Sequence, residues 1–417
     1  MRVIGIVAEF NPFHSGHEYL ISEAKREVAE PRAIVMPVMS GAFCQRGIPA
    51  MLPKHIRARQ ALLCGADVVL ELPFTFACAP SERFASGAIA TLVRTGVVTD
   101  IAFGVDCEEP EILEELAGYN FDGNEEYNTT IKDAVSSGQS FPAARASAVL
   151  KVLSGKTSYS DDKISDALRS PNSILALDYL TALRRYDRNG RIKVHMIRRL
   201  GGYHGSDASG FASASDIRTR ASSCKTLSQL TTGLAGTMPD ASLACWLSAM
   251  SKGEFKPLDE CEYLRRVLTG CDFREDTAYM TDGVAGYINN VTSALRPKDL
   301  DSSYKFYEIL ATRHFTVGRI LRAMASSYVG QAQTTLDIQD PAYIRVLGFG
   351  REGRYCLKII NRCTKLPVIH NLSDFAEHGD NSALQTLSGL DIKATELAGD
   401  LLGLPFEYEW QTPPVML

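Results

Sequence analysis

The chain opens on a short β-branched apolar run, Val3 to Val7, and after Pro12 the stretch Glu18 to Glu27 sets Tyr19, Leu20 and Ala24 among charged residues at helical spacing. Runs that are apolar throughout fit strands buried on both faces, whereas apolar positions recurring every three or four residues fit a helix with one face on a core. The alternation continues: AIVMPVM (33–39) reads as a strand, KHIRARQALLCG (54–65) as a helix stopped by Gly65, ADVVLELP (66–73) as a strand, SERFASGAIATLVRTG (81–96) as a helix and DIAFGV (100–105) as a strand. Strands separated by helices need crossover connections, so the pattern predicts an α/β fold with a doubly wound, mostly parallel sheet.

Residues 120 to 165 are polar and helical in places. SPNSILALDYLTALRRY (170–186) reads as an amphipathic helix with Ser170 as its cap and Pro171 at its first position, and KVHMIRRL (193–200) as another strand. From Thr226 onward helical patterns dominate, apart from a small β element expected at YIRVLGFGREGRYCLKII (343–360). This predicts a catalytic α/β domain over 1–220 and a mainly helical C-terminal domain over 221–417, in keeping with a length that suits two or three domains.

Composition narrows the class. With 45% hydrophobic and 22% charged residues the chain is of ordinary globular make-up. Its first apolar run is broken by Glu9, Asn11 and His14, so neither an export signal nor a membrane span is expected, and the predicted address is cytoplasmic. Ten cysteines lie scattered without a CxxC pair, which predicts reduced core thiols and neither a zinc site nor a redox motif. A net charge of −5 excludes a uniformly basic coat and leaves local basic clusters to decide any contact with nucleic acid.

The strongest chemical signal is EFNPFHSGH, Glu9 to His17, directly after the first strand and opening the first helix. At the carboxyl edge of a parallel strand, a helix N-terminus offers amide groups and a positive dipole end to phosphates. His14 and His17 can donate hydrogen bonds to triphosphate oxygens, and Gly16 between them lets a ligand approach the backbone.

This element resembles the FDPxHxGH motif of the nucleotidyltransferases that bear the HIGH signature, with Asn11 where Asp is usual and Glu9 where a small residue is usual. FASASDIRTR (211–220) is similar to the ISSTxIR motif of the same proteins. SGAFCQRGIPAMLPKHIRARQALLCGADVVLELPF (40–74) resembles one family within them, the tRNA(Met) cytidine acetate ligases, as do FG (103–104), PNSILALDYL (171–180), RRLGGYH (198–204) and LGFGREGR (347–354).

The resemblance covers nearly the whole chain and implies a Rossmann-like HIGH nucleotidyltransferase sheet. It also implies ATP-dependent activation of acetate and acetyl transfer to the wobble cytidine of elongator tRNA(Met). It assigns nucleotide contacts to Val7, Ala8, Glu9, Phe10, Asn11, Pro12, Phe13, His14, Ser15, Gly16, His17, Glu18, Tyr19 and Leu20, and to Gly104, Asn172, one or both of Arg198 and Arg199, Ser213, Ser215 and Arg218. Mg²⁺ is expected to accompany ATP.

Adenylation of a carboxylate needs positioning and charge neutralisation and no protein nucleophile. His14, His17 and Lys54 are therefore the expected catalytic groups, with Arg46 and Arg57 as further cations. Arg313, Arg319 and Arg322, interleaved with Phe315 on an expected helix, are the candidates for holding tRNA, and Arg345, Arg351 and Arg354 form a second basic cluster around GFGREG. GFGREG spells a dinucleotide fingerprint, but the strand-like YCLKII after it removes the helix such a site requires. No P-loop motif occurs. Two other readings stay open: a small-molecule adenylating enzyme or nucleotidyltransferase of the HIGH type, and a non-catalytic RNA-binding protein.

Overall fold

The computed structural model describes the chain apart from residues 120, 122, 140, 200–210, 313–314 and 379–380, and the side chains of 141, 142 and 297. Five parallel strands, β1 (Val3–Ala8), β2 (Ile34–Ser40), β3 (Val68–Leu72), β4 (Asp100–Val105) and β5 (Lys193–Arg198), lie in the order β5-β4-β1-β2-β3. Alternate residues of β1 serve opposite faces. Val3 packs with Met36 and Val68 beneath the helices Ser81–Arg94 and Pro171–Tyr186, while Ile4 and Ile6 pack with Val35 and Val69 beneath α1 (Ser15–Val28) and α2 (Lys54–Leu63). Both faces of β1 and β2 are covered, which is why these two strands read as apolar runs, whereas the edge strand β5 is polar and partly exposed.

The C-terminal half extends the same sheet. β6 (Ile344–Phe349) runs antiparallel to β3, with Arg345 opposite Glu71 and Phe349 opposite Val68, and β7 (Val368–Ile369) and β8 (Val415–Met416) pair parallel with β6. The expected boundary at residue 220 is thus crossed by the sheet. Elsewhere this half is helical, and its core of Tyr263, Leu264, Ile320, Met324, Leu390 and Ala394 takes in Phe43 and Phe74 from the N-terminal half.

The expectation at 343–360 is corrected in its second part. YCLKII belongs to a helix, Arg351–Cys363, because Gly353, Cys356, Leu357 and Ile360 all face the core at helical spacing. GFGREG therefore does lie between a strand and a helix. That strand opposes the parallel set, however, and Gly353 serves packing, since a Cβ there would collide with the Asp67 carbonyl oxygen.

Cys44, Cys64, Cys78, Cys245 and Cys356 are buried thiols, whereas Cys363 is exposed. No described helix is long and apolar enough to cross a membrane.

Candidate nucleotide site

β1 is the strand at which the sheet order reverses, with β2 and β3 laid to one side and β4 and β5 to the other. The turn after it opens at the crevice where doubly wound sheets hold ligands. Val7 and Ala8 close β1, Phe10 adopts a left-handed φ of 47°, the Asn11–Pro12 bond is cis, and Ser15, Gly16, Glu18, Tyr19 and Leu20 form the first turns of α1. The helix starts at Ser15, before the apolar periodicity begins, because His14 caps it. Nδ1 of His14 accepts from the Gly16 amide at 3.1 Å, and Nδ1 of His17 accepts from the His14 amide at 3.2 Å.

The two imidazoles stack, with centroids 3.8 Å apart, and Phe10 and Phe13 press on His17 at 4.9 and 5.4 Å. Burial, then Arg199 and Arg218, pull His14 down to about 3; burial, His14 and Arg199 likewise hold His17 well below the usual imidazole range. Both rings are neutral at physiological pH. Because each Nδ1 is already an acceptor, the single proton of each ring sits on Nε2, leaving an N–H donor on the side away from the cap.

The open row of helix amides expected here is largely satisfied by the protein itself: Ser15 N reaches the carbonyl of Thr237, from the C-terminal half, at 3.5 Å, and His17 N reaches His14 O at 2.8 Å. What the turn presents to an anion is the dipole end and two imidazole donors.

Neighbouring loops fix this turn. Arg57 is buried, and its guanidinium donates to the carbonyls of Glu9 at 2.8 Å, Ser40 at 2.9 Å and Leu52 at 3.1 Å, and to that of Gly41. Glu9 accepts from the Gln45 amide at 2.6 Å and Asn11 from the Met51 amide at 2.9 Å. The two positions that depart from the HIGH pattern thus hold the 45–51 loop against the turn. Arg46 lies exposed on that loop. From the serine motif, Arg218 donates to Asn11 O at 2.9 Å, Ser213 caps the helix Ala214–Ser223 through the Asp216 amide at 3.1 Å, and Ser215 is exposed.

Asn172 and Arg199, the latter lying against Gly104, converge on a residue that the sequence reading did not single out. Asp106, just past β4, accepts from Asn172 Nδ2 at 2.7 Å and Ser170 Oγ at 2.8 Å, and lies 3.6 Å from Arg199 Nε. The Asn172 nitrogen is so engaged, and among the described residues its carboxamide oxygen accepts no hydrogen bond. Arg199 is the arginine brought to the site; Arg198 points to Glu108 at 3.6 Å and is 69% exposed. The rest of RRLGGYH, residues 200–204, lies outside the described residues. An acidic residue directly after a central strand, at its carboxyl edge, was the signal available for Asp106.

Lys54 is a correction. Its side chain is 1% exposed, and its ammonium is taken by Glu71 at 2.8 Å, Glu409 at 2.8 Å and Thr395 Oγ1 at 3.1 Å. Burial opposes its charge, yet Glu409 and Glu71 prevail and hold it protonated. Arg345 meets Glu409 at 3.2 Å, so two cations and two carboxylates balance. The third carboxyl, Asp391, bonded by Tyr343, is pushed up to about 8 by burial and then by Glu71. This network joins α2 and β3 to the C-terminal elements and leaves Lys54 no proton for a triphosphate.

Of the expected tRNA row, two arginines are engaged within the protein. Arg319 is tied to Asp282 at 2.8 Å and to Thr281 O at 3.2 Å, Arg322 is largely buried with burial lowering its pKa, and Arg313 lies outside the described residues. Residues 317 to 329 turn their apolar face, Ile320, Leu321 and Met324, into the helical core and draw Arg322 in with it.

Known proteins resemble this chain along nearly its whole length. A family model described as HIGH Nucleotidyl Transferase matches residues 1–405. The tRNA(Met) cytidine acetate ligase of Acetivibrio thermocellus is 34% identical over 408 residues, covering 95% of this chain and 94% of the relative. That of Lysinibacillus sphaericus is 33% identical, covering 100% of both. The crystal structure of Thermotoga maritima TmcAL bound with alpha-thio ATP superposes with a TM-score of 0.86 at 28% identity, and its apo form with 0.88, each covering 100% of both chains. This chain therefore belongs to the HIGH nucleotidyl transferase family and, within it, to the tRNA(Met) cytidine acetate ligases.

Proposed function

We propose that the chain uses ATP to activate acetate and acetylates the exocyclic amine of the wobble cytidine of elongator tRNA(Met), giving N4-acetylcytidine in the cytoplasm. The observation that carries this reading is the neutral, stacked His14–His17 pair, with both Nδ1 atoms capping α1 and both Nε2–H groups left as donors at the sheet's switch point.

In the first step an acetate oxygen attacks the α-phosphorus, the bond to the bridging oxygen breaks, and pyrophosphate leaves with the electron pair. The imidazole donors and Arg199 offset the charge that builds on the departing phosphates, in a site where little reorganisation is needed. Neutral imidazoles suit this task, because they donate without binding pyrophosphate so tightly that it fails to leave. Arg218 braces the turn through Asn11, and Asp106 orients Asn172 and Arg199. In the second step the cytidine N4 attacks the acetyl carbonyl, AMP leaves and the nitrogen sheds one proton.

Mg²⁺ enters as part of the substrate MgATP. Asp106 is already engaged by three partners, and the nucleotide's own phosphates are the groups proposed to carry the ion.

Exchange of labelled pyrophosphate into ATP tests the first step. The expected result is exchange that depends on acetate. Exchange without any acid, or AMP transfer to a mononucleotide, would instead favour a small-molecule nucleotidyltransferase.

A further inference from the structure

The helix Arg351–Cys363 carries a basic face, begun by Arg351 and Arg354 of the cluster noted in the sequence, that the nucleotide site does not use. Arg351, Arg354, Lys358 and Arg362 are all exposed along one side, and Tyr355 stands among them at 62% exposure. Arg354, Lys358 and Arg362 follow at i, i+4 spacing, where like charges face each other and weaken an isolated helix by roughly 0.2–0.5 kcal/mol per pair.

Some exposed cations on other helices pair along their own helix, and others, such as Lys132, Lys305 and Lys393, are the single cation their helix carries. Arg26 pairs with Glu23, Arg220 with Asp216 and Arg266 with Glu262, each within three or four residues. Among the described residues none of the four cations on this helix makes an ion pair; Arg354 only lies over the Phe349 ring, 5.9 Å from its centroid. In a chain of net charge −5, such a row of unneutralised like charges is a local exception.

We infer that this helix face is a docking surface for the phosphate backbone of the RNA substrate, with Tyr355 available to stack on an unpaired base. The inference rests on the proposed tRNA substrate and adds where part of that substrate is held. The helix begins at the Asp67 turn, where the Gly350 amide meets the Asp67 carbonyl at 2.9 Å. It therefore lies at the amino edge of the parallel strands, whereas the His14–His17 turn lies at the carboxyl edge. One strand of six residues separates the edges by about 20 Å. The RNA segment held here is accordingly remote from the reacting cytidine, so this face governs binding of the whole tRNA without touching adenylation.

The test uses the full chain and tRNA(Met). In R351Q/R354Q/K358Q/R362Q, tRNA affinity should drop at least about tenfold, and the slope of log affinity against log salt should flatten by roughly 0.7–0.9 for each phosphate that is no longer neutralised. Acetate-dependent pyrophosphate exchange should match the parent. Lys358→Glu guards against a folding artefact, because it creates i, i+4 pairs with Arg354 and Arg362; it should melt no lower than the parent yet bind tRNA more weakly. Unchanged affinity and slope in both variants would overturn the assignment, as would loss of binding to vesicles of anionic lipid with tRNA binding intact. Failure of the proposed function looks different: the parent itself would then acetylate no cytidine.

Discussion

The stem of Arg199 lies in the space that a side chain at Gly104 would fill: a Cβ there would stand 3.1 Å from Arg199 Cγ and 3.3 Å from Cδ. Closeness without collision means that an added methyl shifts the flexible arginine by tenths of an ångström, while a branched side chain displaces it. Gly104→Val is expected to lower turnover per bound ATP by about tenfold or more, because small misplacements of a positioning group are amplified in rate. Gly104→Ala should do far less. Pyrophosphate exchange kinetics on the two variants check this, with similar values for both arguing that Arg199 acts elsewhere.

His14 has two separable duties, and the substitution can be chosen to remove one. Asparagine also caps helices well, so His14→Asn keeps the cap on the Gly16 amide while deleting the Nε2 donor. Melting temperature should hold within a few degrees while turnover drops by about 10²-fold or more, as when one preorganised donor to developing charge is removed. Near-parental turnover would remove His14 from the chemistry.

Lys54 calls for the opposite outcome. Removing one partner from the buried Lys54–Glu71–Glu409–Arg345 network leaves uncompensated charge in the core. Lys54→Met is expected to destabilise the fold by about 3–5 kcal/mol, read as a fall in the denaturant midpoint, with the residual folded fraction still supporting exchange. Full stability with abolished exchange would restore Lys54 to the active site.

His14 and His55 are each held near 3 by burial, and His17 is held well below its ordinary 6.5. Below 6.5 the unfolded chain binds protons at these positions and the folded chain does not, so folding stability is greatest above 6.5 and declines as pH falls toward 3. Each group contributes a slope of at most about 1.4 kcal/mol per pH unit within that window. Replacing His55 with Phe should flatten the decline in midpoint between pH 6.5 and 4 by a measurable share; an unchanged profile would mean that His55 is charged in the folded protein.

Much of this architecture was legible in the sequence. The five segments read as strands in the N-terminal half became β1 to β5, and the HSGH turn and the serine segment stand side by side through Arg218 and Asn11. What escaped was long-range. A strand that joins a sheet from residue 344 carries no local sign of its partner, and Lys54 looks like any helix cation until Glu409, from the far end of the chain, is folded onto it. Apolar spacing alone divides helix from strand poorly over six residues, which is why YCLKII read as a strand. Whether an arginine faces solvent or core depends on the neighbouring helices, and at Arg322 those neighbours decided against the sequence reading.

The most direct test of the central claim is mass spectrometry of nucleosides from tRNA(Met) incubated with the purified protein, ATP and isotope-labelled acetate. The predicted result is a cytidine carrying one labelled acetyl group, formed only when ATP is present and nearly absent with His14→Asn. Unlabelled cytidine with the parent protein, or label appearing without ATP, would contradict the claim.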